Sequence, residues 1–237
     1  MDYERYSSPQ ELETQTEKEF RGKLRGNKNK IFAVNLVGAL LKKLDGLVTY
    51  AKHKRQVKFA CKAGCNHCCT LRVEPTIPEI FYIATRINKY PDAEKSRIIR
   101  NLEIYTEKVK GLSPQQHKAL GVSCVFLKDG VCSIYDFRPF ACRKWHSLDV
   151  TRCEASSAEV PLNKGVVTFA DAMLRGFSKA YEKSNLPILP SEFGQAVLMA
   201  LTDESAIEHW MQGEAVFPRL PEYDDARGSF IASDRPQ

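Results

Sequence analysis

Residues 61–69 read Cys61-Lys62-Ala63-Gly64-Cys65-Asn66-His67-Cys68-Cys69, four thiols within nine positions. Gaps of three and two residues let one short loop wrap several thiolates around a metal, because each further donor adds little loop-closure entropy. Gly64 gives the backbone the freedom that such a sharp turn needs. A lone cysteine is often a small buried apolar residue, but that reading does not account for four so close together. Cys68 and Cys69 are neighbours, and neighbouring residues rarely aim both side chains at one point. They are therefore expected to serve different metals, or one ligates while the other packs.

A second group of thiols lies downstream. Cys124, Cys132, Cys142 and Cys153 are separated by 7, 9 and 10 residues. Four plus four would complete two tetrathiolate sites, and would equally complete one iron–sulfur cluster with spare thiols. Between Cys124 and Cys132, two short β-prone runs flank Asp129-Gly130, the one convincing hairpin in the chain. A two-residue turn would pair Lys128 with Val131 and set Cys124 and Cys132 on opposite faces. A three-residue loop would pair Phe126 with Cys132 and set the two thiols on one face, where a single site could use both. The second register is the expectation.

The rest of the chain reads as helix. Val34, Val37, Leu41, Leu44 and Val48 recur at threes and fours, which predicts one long amphipathic helix. Thr76-Ile77-Pro78-Glu79 is a capping box, and Ser113-Pro114-Gln115-Gln116 is another. Between them, Pro91-Asp92 opens a helix with the stripe Ile98, Leu102, Tyr105, Val109, Leu112. Phe169, Met173, Phe177 and Tyr181 mark a further helix, and short helices follow from Leu198 to Met211, broken near Thr202-Asp203. Residues 10–24 carry charge on every side and are expected to face solvent or fray. The fold class is mainly α: a helical bundle enclosing an irregular cysteine-rich metal-binding core with one short β-hairpin. The expected organisation is a basic helical segment (1–60) packing on the core, the cysteine core (61–160), and C-terminal helices of the same domain (161–213). An extended or disordered tail (214–237) completes it.

Composition narrows the function classes. The chain has 237 residues, 43% hydrophobic, 27% charged and eight cysteines. It is too large for a disulfide-stapled mini-protein, and its first residues have neither the basic start nor the apolar run of a signal peptide. The longest apolar stretch, 31–41, is too short to span a bilayer. No membrane association and a cytoplasmic, reducing location are expected, where clustered thiols mean metal or redox chemistry. Residues 1–60 hold 13 Lys/Arg against 7 Asp/Glu, whereas residues 203–237 hold 3 against 8. The basic N-terminal half suits an anionic or protein partner; nucleic acid is less favoured, since no base-stacking motif accompanies the charge. The chain has no Gly-x-Gly pair and no Gly-Lys-Ser/Thr, so dinucleotide and nucleotide loops are excluded.

Other side chains near the thiols could assist. His67 lies inside the first cluster and His146 lies four residues after Cys142; each could ligate, or could hydrogen-bond a ligand instead. Arg138-Pro139-x-x-Cys142-Arg143 sets two guanidinium groups beside a thiolate, which would offset the excess negative charge of a four-thiolate centre.

With these motifs in place, CKAGCNHCC followed by CVFLKDGVCSIYDFRPFACRKWHSLDVTRCE resembles the YkgJ-type cysteine-cluster family of zinc- or iron-chelating domains. The likeness covers about residues 61–154. It runs through CxxxCxxCC, Gly-x-Cys-x-Ile-Tyr and Arg-Pro-x-x-Cys-Arg. The resemblance implies that Cys61, Cys65, Cys68, Cys69, Cys124, Cys132 and Cys142 are metal ligands, with Cys153 joining them. It also implies a distant relation to flagellin lysine N-methylases, whose related cluster is of iron–sulfur type; this chain shows no recognisable extra domain for such a substrate. The leading expectation is a cysteine-ligated [4Fe–4S] protein acting as an oxidoreductase or modifying enzyme. The alternative is a structural adaptor holding one or two Zn2+ ions. Cys61-x3-Cys65-x2-Cys68 also has the radical-SAM spacing, but no series of strand–helix units is present to build that barrel.

Overall fold

The computed structural model describes residues 6–26, 29–155 and 160–220. Among these residues the chain forms ten helices and one two-stranded hairpin, so the fold is mainly α. In order they are α1 (Pro9–Arg25), α2 (Lys30–His53), α3 (Ile77–Ile87), α4 (Asp92–Val109) and α5 (Pro114–Leu120). The hairpin β1 (Leu127–Lys128) and β2 (Val131–Cys132) follows. Then come α6 (Phe140–Lys144), α7 (Val150–Glu154), α8 (Lys164–Glu182), α9 (Phe193–Thr202) and α10 (Ala206–Met211). No helix of the described residues is long and apolar enough to cross a membrane.

One continuous apolar core runs from Tyr6 to Phe217. The stripe expected for α2 is buried, with Val34, Val37, Leu41, Leu44 and Val48 all facing inward. Phe177 and Tyr181 of α8 are fully buried, their rings 4.6 Å apart. Each such side chain contributes about 1.5–3 kcal/mol when withdrawn from water. Two ends of the core reach the cysteine segment: Phe126 and Phe140 are buried in it, and each lies two residues from a thiol.

Helix α1 corrects the expectation of a solvent-facing or frayed segment. It packs along α8 more extensively than any other helix pair does. Leu12, Thr16, Phe20 and Leu24 are buried at intervals of four, and Phe20 sits edge-on against Phe177 at 4.9 Å. The two helices approach closely because Gly176 has no side chain: a Cβ there would stand 2.3 Å from the Glu13 carbonyl oxygen. Glu13 then pairs with Arg175 at 2.8 Å, and Glu19 of α1 reaches the buried Lys43 of α2 at 2.6 Å. The charges on α1 therefore include partners for its neighbours, while a narrow stripe does the packing.

The capping boxes form as expected. Glu79 Oε2 accepts from Thr76 N at 2.9 Å and from Thr76 Oγ1 at 2.7 Å, and Gln116 and Ser113 exchange bonds in the same way. The buried Glu79 also accepts the Phe140 N–H at 2.7 Å, which ties the start of α3 to the start of α6.

The hairpin takes the register opposite to the expected one. Leu127 pairs with Cys132 and Lys128 with Val131, leaving Asp129-Gly130 as a two-residue turn. Both turn residues have positive φ, 50° and 78°, the conformation that Asp-Gly adopts readily and that matches the twist of the strands. The strands are only two residues long, so alternation does not extend back to Cys124, which lies in the preceding turn. Past Glu214 the chain is irregular but held down: Phe217 packs on Phe81 at 5.2 Å and Leu220 is buried. The rest of the expected tail lies outside the described residues.

Candidate metal centre

All eight cysteines are free thiols, and they come from four separate stretches. Beyond α2 the chain runs without regular structure to Cys61 and then winds through turns. Cys65 N donates to Lys62 O at 3.1 Å and Cys69 N donates to Asn66 O at 2.9 Å. Gly64, at φ 85°, occupies the left-handed conformation that this winding requires. Two ties fix the loop to the second group. Asn66 Nδ2 donates to Gly130 O at 3.3 Å, and Cys124 N donates to Cys69 O at 2.6 Å. A third tie joins it to the stretch before α7: Ala60 N donates to Ser147 O at 2.8 Å and Ser147 N donates to Cys61 Sγ at 3.1 Å. Cys142 is carried by α6 and Cys153 by α7.

The electrostatic influence of the thiols on one another divides them. Burial pushes the Cys61 thiol up, the Ser147 N–H offsets part of this, and Cys65, Cys68 and Cys153 push it up again. Cys69 is raised first because its S–H is held by Cys68, then by burial, then by Cys68, Cys124 and Cys142. Burial raises Cys142 well above the usual thiol range, with Cys124, Cys68 and Cys132 adding to it. Cys124 is pushed up to about 12 by burial, and Cys132 is among its further causes. Cys61 thus feels Cys65, Cys68 and Cys153, whereas Cys69, Cys124, Cys132 and Cys142 all feel Cys68. Cys68 stands at the junction. Despite the register of the hairpin, Cys124 and Cys132 remain close enough to influence each other.

Cys68 is the exception in sign. Hydrogen bonding from Cys69 lowers it to about 6 against the cost of burial, with its own backbone and the Arg138 guanidinium helping. Arg138 also lowers Cys132 and Cys142. It lies over the Tyr135 ring at 3.7 Å and donates to Tyr135 O at 2.9 Å, which holds it among the thiols. Arg143 is placed differently. Its Nη1 donates to both Asp45 carboxylate oxygens at 2.9 and 3.0 Å, and Nη2 donates to Asp136 O, so its charge ties α6 to α2.

The histidines border the site. His67 Nε2 lies 3.7 Å from Glu154 Oε1. His146 packs on the Phe59 ring at 5.1 Å, and burial lowers its pKa, with Arg138 and Lys52 acting in the same direction. One polar group beside the site had no signal in the sequence. Tyr105 Oη lies 3.0 Å from His117 Nε2 and donates to Glu192 Oε1 at 3.3 Å, all three side chains coming from different helices or their caps. Both Tyr105 and Cys124 feel Glu192. In the sequence Tyr105 is one position of the apolar stripe of α4, and nothing near it in the chain marks Glu192 as its partner.

The donor set is soft and sulfur-rich, which suits zinc or iron. Among the described residues, however, no three His, Cys, Asp or Glu side chains converge tightly enough to hold a single metal ion. A lone ion bound at ~2.3 Å by four sulfurs needs them about 3.8 Å apart. The thiols are close enough to shift one another's titration, and Cys69 holds Cys68 by a hydrogen bond. Comparison with known proteins gives the same element of chemistry: residues 60–159 match the model of the CxxCxxCC family, described as "Putative zinc- or iron-chelating domain". Residues 60–159, less than half of the chain, are similar to that domain. The match covers the hairpin, α3 to α7 and all eight thiols, while α1, α2 and α8 to α10 lie outside it. No curated protein and no solved structure matches the chain. Residues 60–159 are thus a cysteine-cluster segment, similar to a metal-chelating domain, whose helices share the core of the chain.

Proposed function

We propose that the cysteine-cluster segment holds iron–sulfur clusters of the [4Fe–4S] type and exchanges single electrons through them. Cys61, Cys65, Cys68 and Cys153 would hold one cluster, and Cys69, Cys124, Cys132 and Cys142 would form the second four-thiol set. The observation that supports this reading is eight free thiols on adjoining stretches, with Cys61 feeling Cys65, Cys68 and Cys153 and Cys69 feeling Cys124 and Cys142, a donor number that fits two four-thiol clusters. When bound, such a cluster supplies a one-electron redox couple. Arg138 would oppose its negative charge and keep the thiols ionised, and the ties from Ser147 and Asn66 would hold the loop in place.

Electron exchange fits better than turnover of a bound substrate. A cavity of about 190 Å³ lies between the end of α4, the start of α9 and residues 218–220, with Arg72, Glu192 and Gln195 in its wall and no cysteine. The thiol-bearing surface is open instead, with Cys68 exposed. The same openness leaves a structural zinc adaptor as the second reading.

Single serine replacements test the grouping. Cys65→Ser is expected to lose the cluster of the first set and Cys142→Ser that of the second, each removing iron and sulfide together. The reduced protein should give a low-temperature paramagnetic signal. A Cys65→Ser protein with full metal content, or a colourless and signal-free parent protein, would contradict the reading.

A further inference from the structure

Two strips of surface meet beside Cys61. The first is basic: from Gly46 to Val73 the sequence contains no Asp or Glu. Within it Lys52, Lys54, Arg55, Lys58 and Lys62 are exposed. The second is apolar: Trp145, Leu148 and Val150 are 39%, 40% and 37% exposed. The Ala60–Ser147 and Ser147–Cys61 hydrogen bonds join the strips, and Phe59 against His146 forms the seam between them. Exposed large apolar side chains concentrate around the thiols in general, with Leu71, Val131 and Tyr135 also within three residues of a cysteine. The nearby carboxylates are engaged: Asp149 accepts from Thr151 N and Oγ1, and Glu154 faces His67.

We propose that this face is the docking surface for an acidic protein that seats apolar side chains on Trp145, Leu148 and Val150 while its carboxylates meet the 52–62 strip. The inference deepens the electron-exchange reading, and rests on it, by naming the kind of partner that the same centre meets. Charge complementarity supplies the steering and the exposed aromatic supplies the anchor. The aliphatic residues decide between protein and nucleic acid. Leu148 and Val150 offer nothing to a stacked base, and Lys144 already lies over the Trp145 ring at 5.6 Å.

Trp145 is itself the reporter, because the other tryptophan, Trp210, is fully buried. The full-length protein is titrated with a glutamate-rich peptide carrying phenylalanine, an all-glutamate peptide of equal charge and a single-stranded oligonucleotide of equal charge. Emission and, with labelled probes, anisotropy are followed. The phenylalanine-bearing peptide is expected to shift Trp145 emission and to bind about tenfold tighter than either control. The double replacement Lys58→Glu, Lys62→Glu should weaken it about tenfold, and Trp145→Ala should weaken it in the anisotropy assay. Equal affinity for the three probes, tighter binding of the oligonucleotide, or indifference to the charge reversals would overturn the proposal. Metal and sulfide are measured on the same preparations. A zinc protein that docks the peptide would then count against the iron–sulfur reading alone, and a cluster-bearing protein that does not dock it would count against this inference alone.

Discussion

Cys68 and Arg138 set the chemistry at the scale of single residues. A thiolate is both the metal ligand and the nucleophile, so a thiol held near 6 is ionised at neutral pH while its buried neighbours are not. In metal-free protein at pH 7, iodoacetamide should modify Cys68 before Cys61, Cys124, Cys132 or Cys142. Its rate should fall as the pH drops through about 6, as peptide mapping would show. Arg138 stabilises the ionised forms of Cys68, Cys132 and Cys142, and metal competes with protons for those sulfurs. Arg138→Leu should therefore raise these thiol pKa values and move the pH midpoint of metal loading upward. Loading that is unchanged from pH 6 to 8 would show that Arg138 serves only the turn around Tyr135.

The α1–α8 contact shows what individual elements contribute. Gly176→Ala would drive a methyl group against the Glu13 carbonyl, so α1 must shift or part from α8. Overpacking of this kind costs about 1–3 kcal/mol. Urea unfolding should show a lower midpoint with thiol reactivity unchanged, because α1 lies outside the cysteine segment; an unaltered midpoint would mean that the helices separate without cost. The same contact shows why α1 was hard to read. Its inward stripe is Leu12, Thr16, Phe20, Leu24, only one residue wide and interrupted by a threonine, on a helix otherwise crowded with charge. The two capping boxes were legible because all their bonds lie within four residues, at Thr76–Glu79 and Ser113–Gln116. The hairpin was legible as a hairpin, but its register was not. Asp129-Gly130 supports either loop length locally; a shared thiol face favours the longer loop, whereas the backbone conformation of Asp-Gly favours the two-residue turn. The Tyr105–His117–Glu192 network had no local signature, since its three members meet only through packing.

Across the whole molecule, the helical core and the cysteine segment divide the work. Helices α2, α3 and α8 bury the apolar residues, and Phe126, Ile134 and Phe140 anchor the thiol-bearing stretches to them. The eight cysteines then come from loops, the end of β2 and two five-residue helices, stretches with little regular structure of their own. Such a region gains order from what it binds, so metal loading should raise the resistance of residues 61–69 to proteolysis more than that of α2 or α8. Two sets of four thiols were open to the sequence as arithmetic; that the 61–69 loop meets the hairpin and the stretch before α7 depends on tertiary ties at Asn66 and Ser147. The most direct measurement is iron, zinc and acid-labile sulfide on the full-length protein purified without oxygen, together with its visible spectrum. The account predicts iron and sulfide in equal amounts, about four of each for every filled set of thiols, with broad absorbance near about 400 nm. A colourless protein containing zinc and no sulfide would contradict it.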